Sequence, residues 1–100
     1  MKLDEKRSIL SKHLSKFRAW SYDQLVERID RDRREHDCLE SVEGVASDGT
    51  EYQMEFNVFW DDKRGGDVRV LGDLTAEPQT YTSDVTDDFI MSPDGRFVGE

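Results

Sequence analysis

The sequence predicts an α+β domain in which two N-terminal helices pack on one face of an antiparallel, meander-like sheet of about four strands. Three observations predict this fold class. Apolar residues recur at helical spacing in the first third of the chain, they alternate with polar residues in the middle, and glycine-containing turns separate the alternating segments. The 100 residues show no internal repeat or linker, so we expect one domain over residues 1–100, with helices at about 3–19 and 21–31 and a sheet at about 38–98.

The first predicted helix carries a narrow apolar stripe between charged and serine side chains. Its apolar members recur at spacings of seven, four and three residues, which places them on one side of an α-helix. They are Leu3, Leu10, Leu14 and Phe17.

The second predicted helix begins at Ser21. Ser21 and Gln24 have the spacing of a capping box, and Trp20 and Leu25 are placed for a hydrophobic staple over the same turn. Apolar residues continue at helical spacing to Ile29. Residues 30–35 are all charged, so the helix is expected to end at about residue 31.

The clearest strand pattern covers residues 51–60. Five apolar side chains alternate there with polar ones, which predicts a strand with one buried face. The apolar positions are Tyr52, Met54, Phe56, Val58 and Trp60.

The flanking segments complete the meander. Residues 39–46 predict a strand with a β-bulge at Gly44, and residues 47–49 predict a hairpin turn. Residues 63–66 predict a tight turn before a third strand at 67–72. Residues 75–86 predict a loop with a short strand at about 79–83, and residues 92–95 predict a type I turn before an edge strand at 97–98.

The net charge of −9 is divided unevenly along the chain. Residues 1–36 hold ten basic and seven acidic residues, a net charge of +3, whereas residues 37–100 hold four basic and sixteen acidic residues, a net charge of −12. An acidic surface repels phosphate, so neither nucleic acid nor an anionic membrane is expected as a partner. The arginine-rich residues 28–34 alternate with acids, which is typical of an ion-paired helix end.

The composition also favours a cytoplasmic protein. No apolar run reaches the roughly 18–20 residues of a membrane span, and residues 1–7 lack the apolar segment of a secretory signal. The single cysteine, Cys38, forms no intramolecular disulfide.

We expect no cofactor, no metal and no catalytic residue. The loop acids lack the ligand spacing of a calcium loop, and His13, His36 and Cys38 are one ligand short of a zinc set. Catalysis by Cys38 would need a thiolate, which the neighbouring carboxylates oppose.

The candidate interaction surface lies where the central strand ends. Phe59 interrupts the polar face of the strand beside Trp60, and charged residues follow, an arrangement typical of binding surfaces. The candidate residues are Phe59, Trp60, Asp61, Asp62, Lys63 and Arg64. The alternative is that residues 89–98 fold over Phe59 and bury it.

Three segments carry a resemblance to other proteins. Residues 51–70, which include W-D-D-x-x-G-G-D-V-R-V, and residues 87–100, which read D-D-F-I-M-x-P-D-G-x-F-V-G-E, resemble a group of small uncharacterised bacterial proteins, and the helix segment at residues 22–26 also fits that group. The resemblance implies a self-contained domain and carries no activity, cofactor or catalytic residue.

The sequence therefore favours a small, acidic, non-enzymatic module that binds a basic protein through an open sheet face or through the loop at residues 60–67. Three alternatives remain: an immunity- or antitoxin-like inhibitor of a basic enzyme, a small enzyme that uses loop carboxylates, and an acidic surface that only confers solubility. Pairing of sheet edges between two copies of the chain also remains open.

Overall fold

The computed structural model describes residues 1–76 and 84–100, and it confirms the α+β fold class. A 3₁₀ helix follows the first α-helix directly, so the predicted helix at 3–19 consists of two parts. The elements are α1 (Leu3–Leu14), the 3₁₀ helix (Ser15–Ala19), α2 (Tyr22–Glu35), β1 (Glu40–Val45), β2 (Glu51–Trp60), β3 (Val68–Ala76) and β4 (Val85–Met91). The four strands pair antiparallel in the order β1-β2-β3-β4, which is the predicted meander.

The predicted start of α2 is confirmed. The Gln24 backbone N–H donates to the Ser21 hydroxyl, and the Gln24 side chain accepts from the Ser21 backbone N–H, which completes a capping box. The helix ends at Glu35, later than predicted, because i,i+4 ion pairs such as Arg31–Glu35 support its charged last turns. His36 then adopts a left-handed conformation with φ of 53° and terminates the helix.

Both helices pack on the same face of the sheet, α1 mainly across β3 and β4 and α2 mainly across β2. The apolar stripe of α1 and the alternating residues of β2 meet in one core, where the rings of Phe17 and Phe56 lie 5.4 Å apart. Leu10, Leu25 and Leu74 are fully buried between the layers. The period-two pattern of β2 therefore places its apolar side in the core, as predicted.

The structure corrects the predicted bulge at Gly44. The register between β1 and β2 runs without interruption through the pair Gly44–Tyr52. A Cβ atom at this position would lie 2.4 Å from the Tyr52 ring. The tyrosine ring therefore lies across the backbone of β1, in the space that a Cβ atom at residue 44 would enter.

The predicted loop at residues 75–86 is wrong at both ends. Thr75 and Ala76 continue β3, and Val85 and Thr86 begin β4. The short strand expected at about residues 79–83 lies outside the described residues.

The other turn predictions are confirmed. The N–H of Gly49 donates to Ala46, and the N–H of Gly66 donates to Lys63. The N–H of Gly95 donates to Ser92, which closes the turn after β4. Among the described residues, no helix is both long enough and apolar enough to cross a membrane.

Candidate functional site

The sheet has a second face, on which no described element packs. Side chains alternate along each strand, so the residues between the core positions point to this side. We call this side the open face; its charged and large apolar residues are Glu43, Val45, Glu51, Glu55, Phe59, Arg69, Leu71, Asp73, Asp88 and Ile90. Five of these residues are acidic and one is basic, so the open face is strongly negative.

The end of the open face nearest the β1–β2 turn is acidic. Glu43 lies across from Gln53 and therefore on the diagonals to Glu51 and Glu55. Glu43, Glu51 and Glu55 are exposed, and none has a cationic partner in the described part of the chain. These three carboxylates are accessible to a cation from outside the molecule.

The opposite end of the open face is apolar around one arginine. Phe59 and Ile90 lie on either side of Arg69 in the register of β2, β3 and β4. The guanidinium of Arg69 pairs with Asp61 at 2.8 Å and also with Asp88, which holds it in place. Phe59 remains 38% exposed. An exposed aromatic ring beside a fixed charge is typical of a contact surface between proteins.

The C-terminal segment does not cover Phe59, so the alternative interpretation is wrong. Phe97 instead bridges to Met91 at the free edge of β4, and its ring packs edge-on against Phe89 at 5.6 Å. Arg18 fixes this end of the chain by donating two hydrogen bonds to the side-chain carboxylate of Glu100, at 2.7 and 2.8 Å.

The other candidate surface residues do not lie on the open face together with Phe59. Trp60 faces the helices and packs against the core. Asp62 and Lys63 are exposed in the turn after β2. Arg64 is also exposed, and its guanidinium lies 3.6 Å from the Asp30 carboxylate of α2.

Residues 57–60 of β2 also border a groove against the second half of α2. The groove has a volume of about 420 Å³, and we call it the α2–β2 groove. It is lined by Ile29, Asp32, Arg33, Asp37, Asn57, Val58, Phe59 and Trp60. Phe59 and Trp60 were predicted surface residues, whereas the helix side of the groove was not predicted.

Asp32 is the buried charge of this groove, at 8% exposure. Its Oδ1 accepts two hydrogen bonds from Arg28 at 3.2 Å, and its buried Oδ2 has no hydrogen-bond partner within the described chain. Arg28 also donates to the carbonyl oxygens of Cys38 and Leu39, and its guanidinium lies 5.8 Å from the centre of the Trp20 ring. Arg28 is therefore fixed on one oxygen of Asp32.

The structure gives the lone thiol no nucleophilic environment. Burial, together with the carboxylates of Glu55 and Asp37, raises the pKa of Cys38. His36 caps α2, and both His36 and Cys38 lie before the first residue of β1. Among the described residues, no three histidine, cysteine or acidic side chains are grouped to hold a metal ion.

An ionic cluster that the sequence did not indicate joins the end of α1 and the 3₁₀ helix to β1. Glu40 accepts hydrogen bonds from Lys16, at 2.6 Å, and from His13, whose ring stacks on Phe56 at 4.9 Å. Burial opposes the charge of Glu40, but the bonds from Lys16 and His13 outweigh it and lower the pKa of Glu40. This cluster ties the helical layer to the edge strand.

Two loop carboxylates are held in their ionised form. A hydrogen bond from Lys6 lowers the pKa of Asp84, and the Ser92 hydroxyl lowers the pKa of Asp94. A general acid at neutral pH needs a raised pKa, so these two carboxyls are poor candidates for acid catalysis.

Comparison of the chain with protein-family models, with curated proteins and with solved structures gave no match. The resemblance to small bacterial proteins therefore stays a prediction.

Proposed function

We propose that this domain is a small acidic interaction module that binds a basic protein on the open face of its sheet. The observation that carries the proposal is the separation of the two faces. The helices cover one face, and the other exposes three glutamates without a cationic partner among the described residues at one end and an aromatic residue at the opposite end.

Electrostatics supports a basic partner. The whole chain carries a net charge of −9, which attracts a cationic protein over several ångströms and orients it during encounter. Glu43, Glu51 and Glu55 concentrate this charge on one half of the open face. Phe59, Leu71 and Ile90 supply the apolar area that water leaves when the two surfaces meet.

The same acidic half favours a second candidate function, inhibition of a basic enzyme. An enzyme that binds a polyanionic substrate has a cationic cleft, and a rigid row of carboxylates competes for that cleft. The two functions differ only in what the bound partner does, so an activity assay of the partner with and without the module separates them.

Affinity capture with matched variants tests the proposal. We would replace Glu43, Glu51 and Glu55 with glutamine in one variant. The control variant removes the same charge from exposed positions of the helices through Asp4→Asn, Asp23→Asn and Glu27→Gln.

We expect the wild-type chain and the control variant to retain one stoichiometric basic protein that high salt releases. The open-face variant should lose it. The proposal fails if the open-face variant retains the same protein, or if no protein binds beyond the tag alone.

A further inference from the structure

The end of β2 extends beyond the end of β1 and leaves part of the sheet edge without a strand partner in the described chain. The register of these strands ends at the pair Glu40–Phe56, so residues 57–60 of β2 have a strand neighbour only on the β3 side within the described chain. Backbone groups alternate between the two sides of a strand. The bond from the Leu39 N–H to the Phe56 carbonyl shows that Phe56 points to the β1 side, and Val58 and Trp60 therefore point there too.

The side chains beyond this edge form the α2–β2 groove. A strand added alongside Val58 and Trp60 would continue the line of β1 and would place alternate side chains toward α2. Asp32 lies on that side, and its Oδ2 is buried without a hydrogen-bond partner in the described residues. This oxygen exposes almost no surface, so a donor reaches it only if the Asp32 carboxylate turns toward the groove. A buried carboxylate oxygen left unpaired is costly, so a donor that meets it there gains more than an ordinary hydrogen bond.

The lining of the groove favours a cation. The charges of Asp32 and Asp37 are balanced by Arg33 and by Arg28, which is bound to Asp32, so the attraction for a cation comes from the unpaired Oδ2 of Asp32 and from the net charge of −9 of the whole chain. The rings of Phe59 and Trp60 border the same space, and aromatic faces attract cationic side chains.

We propose that the α2–β2 groove receives an extended basic segment of a protein partner, which pairs with the edge of β2 at Val58 and Trp60 and places one lysine or arginine side chain against Asp32. This inference rests on the proposed function and adds the residue that anchors the partner. The rest of the partner then covers the adjoining open face.

The pairing geometry predicts which peptide atoms matter. A residue opposite Val58 exchanges both of its backbone hydrogen bonds with Val58 and has its side chain on the same face. The backbone N–H of the anchoring arginine therefore donates the hydrogen bond to Val58. Methylation of that nitrogen breaks the bond, whereas methylation of the next nitrogen along the peptide does not.

NMR titration of the isotope-labelled chain tests the proposal with a short capped peptide of alternating threonine and valine that carries one central arginine. The matched peptide has citrulline, which has nearly the same shape without the charge. We expect the arginine peptide to shift the backbone signals of Val58 and Trp60 and the Trp60 indole N–H. The citrulline peptide should bind at least about tenfold more weakly, and so should the arginine peptide whose arginine is methylated on its backbone nitrogen.

Variants of the chain provide the second arm. Asp32→Asn should weaken binding of the arginine peptide at least about tenfold, and Glu27→Gln, an exposed charge on the same helix, should leave it unchanged. If Asp32→Asn does not fold, the two peptide comparisons still decide the matter.

Equal binding of the arginine and citrulline peptides, or shifts confined to residues outside the groove, would overturn the proposal. The outcome is separate from that of the capture experiment. Peptide binding in the groove with no effect of the open-face variant on the partner would reject only the open face. Loss of the partner from the open-face variant without peptide binding would reject only the groove.

Discussion

Two glycines of the sheet provide a matched test of the packing that separates its faces. At Gly72, a Cβ atom would lie 2.5 Å from the Phe56 ring and 3.1 Å from a Leu10 methyl carbon. At Gly44, it would lie 2.4 Å from the far end of the Tyr52 ring. The two clashes are equally short, but the neighbours differ: Phe56 is fully buried, whereas Tyr52 is half-buried.

The cost of each alanine follows from whether the ring can move. Phe56 is held between the rings of His13, at 4.9 Å, and Phe17, at 5.4 Å, so its displacement disturbs the core. Overpacking of this kind costs about 1–3 kcal/mol, and the stiffer unfolded chain of an alanine variant returns about 0.4–1 kcal/mol. We therefore expect Gly72→Ala to lower the free energy of unfolding by about 1–2 kcal/mol and Gly44→Ala to change it by less than about 0.5 kcal/mol.

Thermal unfolding followed by far-ultraviolet circular dichroism measures both variants. A loss of 1 kcal/mol lowers the Tm of a domain of this size by about 4–8 °C, so Gly72→Ala should unfold about 4–16 °C below the wild type. Gly44→Ala should unfold close to the wild-type Tm. An unchanged Tm for Gly72→Ala, or an equal loss in both variants, would refute the described packing of Phe56.

Three further predictions concern single side chains. Arg18→Gln should lower the free energy of unfolding by about 0.5–1 kcal/mol, because it removes the contact of the guanidinium with two aromatic rings, and it should speed amide exchange in the last residues. Glu100→Gln should lower the free energy of unfolding less, and equal amide exchange in both variants would contradict this. Because burial raises its pKa, Cys38 should react with iodoacetamide at pH 8 more slowly in the native chain than in urea, and equal rates would count against its burial. The folded pKa of Asp84 is lowered by Lys6, so Asp84 stabilises the fold above its unfolded pKa and this contribution is lost as the pH falls. Lys6→Met should therefore lose less unfolding free energy than the wild type between about pH 5 and about pH 2, and an identical pH dependence would show that the ion pair has no such role.

Local patterns explain why the fold could be predicted. The capping box at Ser21 and the alternation over residues 51–60 each involve residues close in sequence, and both survive in the structure. Gly44 was misinterpreted because its role depends on Tyr52, which approaches from the next strand. Such a contact leaves no local signal.

The candidate site was predictable only in part, for the same reason. Phe59 was found because it breaks the polar alternation of its strand. Asp32 was missed because it reads as one charge in a charged run, and its burial depends on Arg28 and on the end of β2. The alternation of Val68, Arg69 and Val70 was the available signal for Arg69 on the open face.

Carbodiimide cross-linking of the purified complex shows which face of the sheet meets the partner, because it joins carboxylates of this chain to lysines of the bound partner without a spacer. We expect mass spectrometry to find links from Glu43, Glu51 and Glu55. Links confined to helix carboxylates such as Glu5 and Glu27 would contradict it.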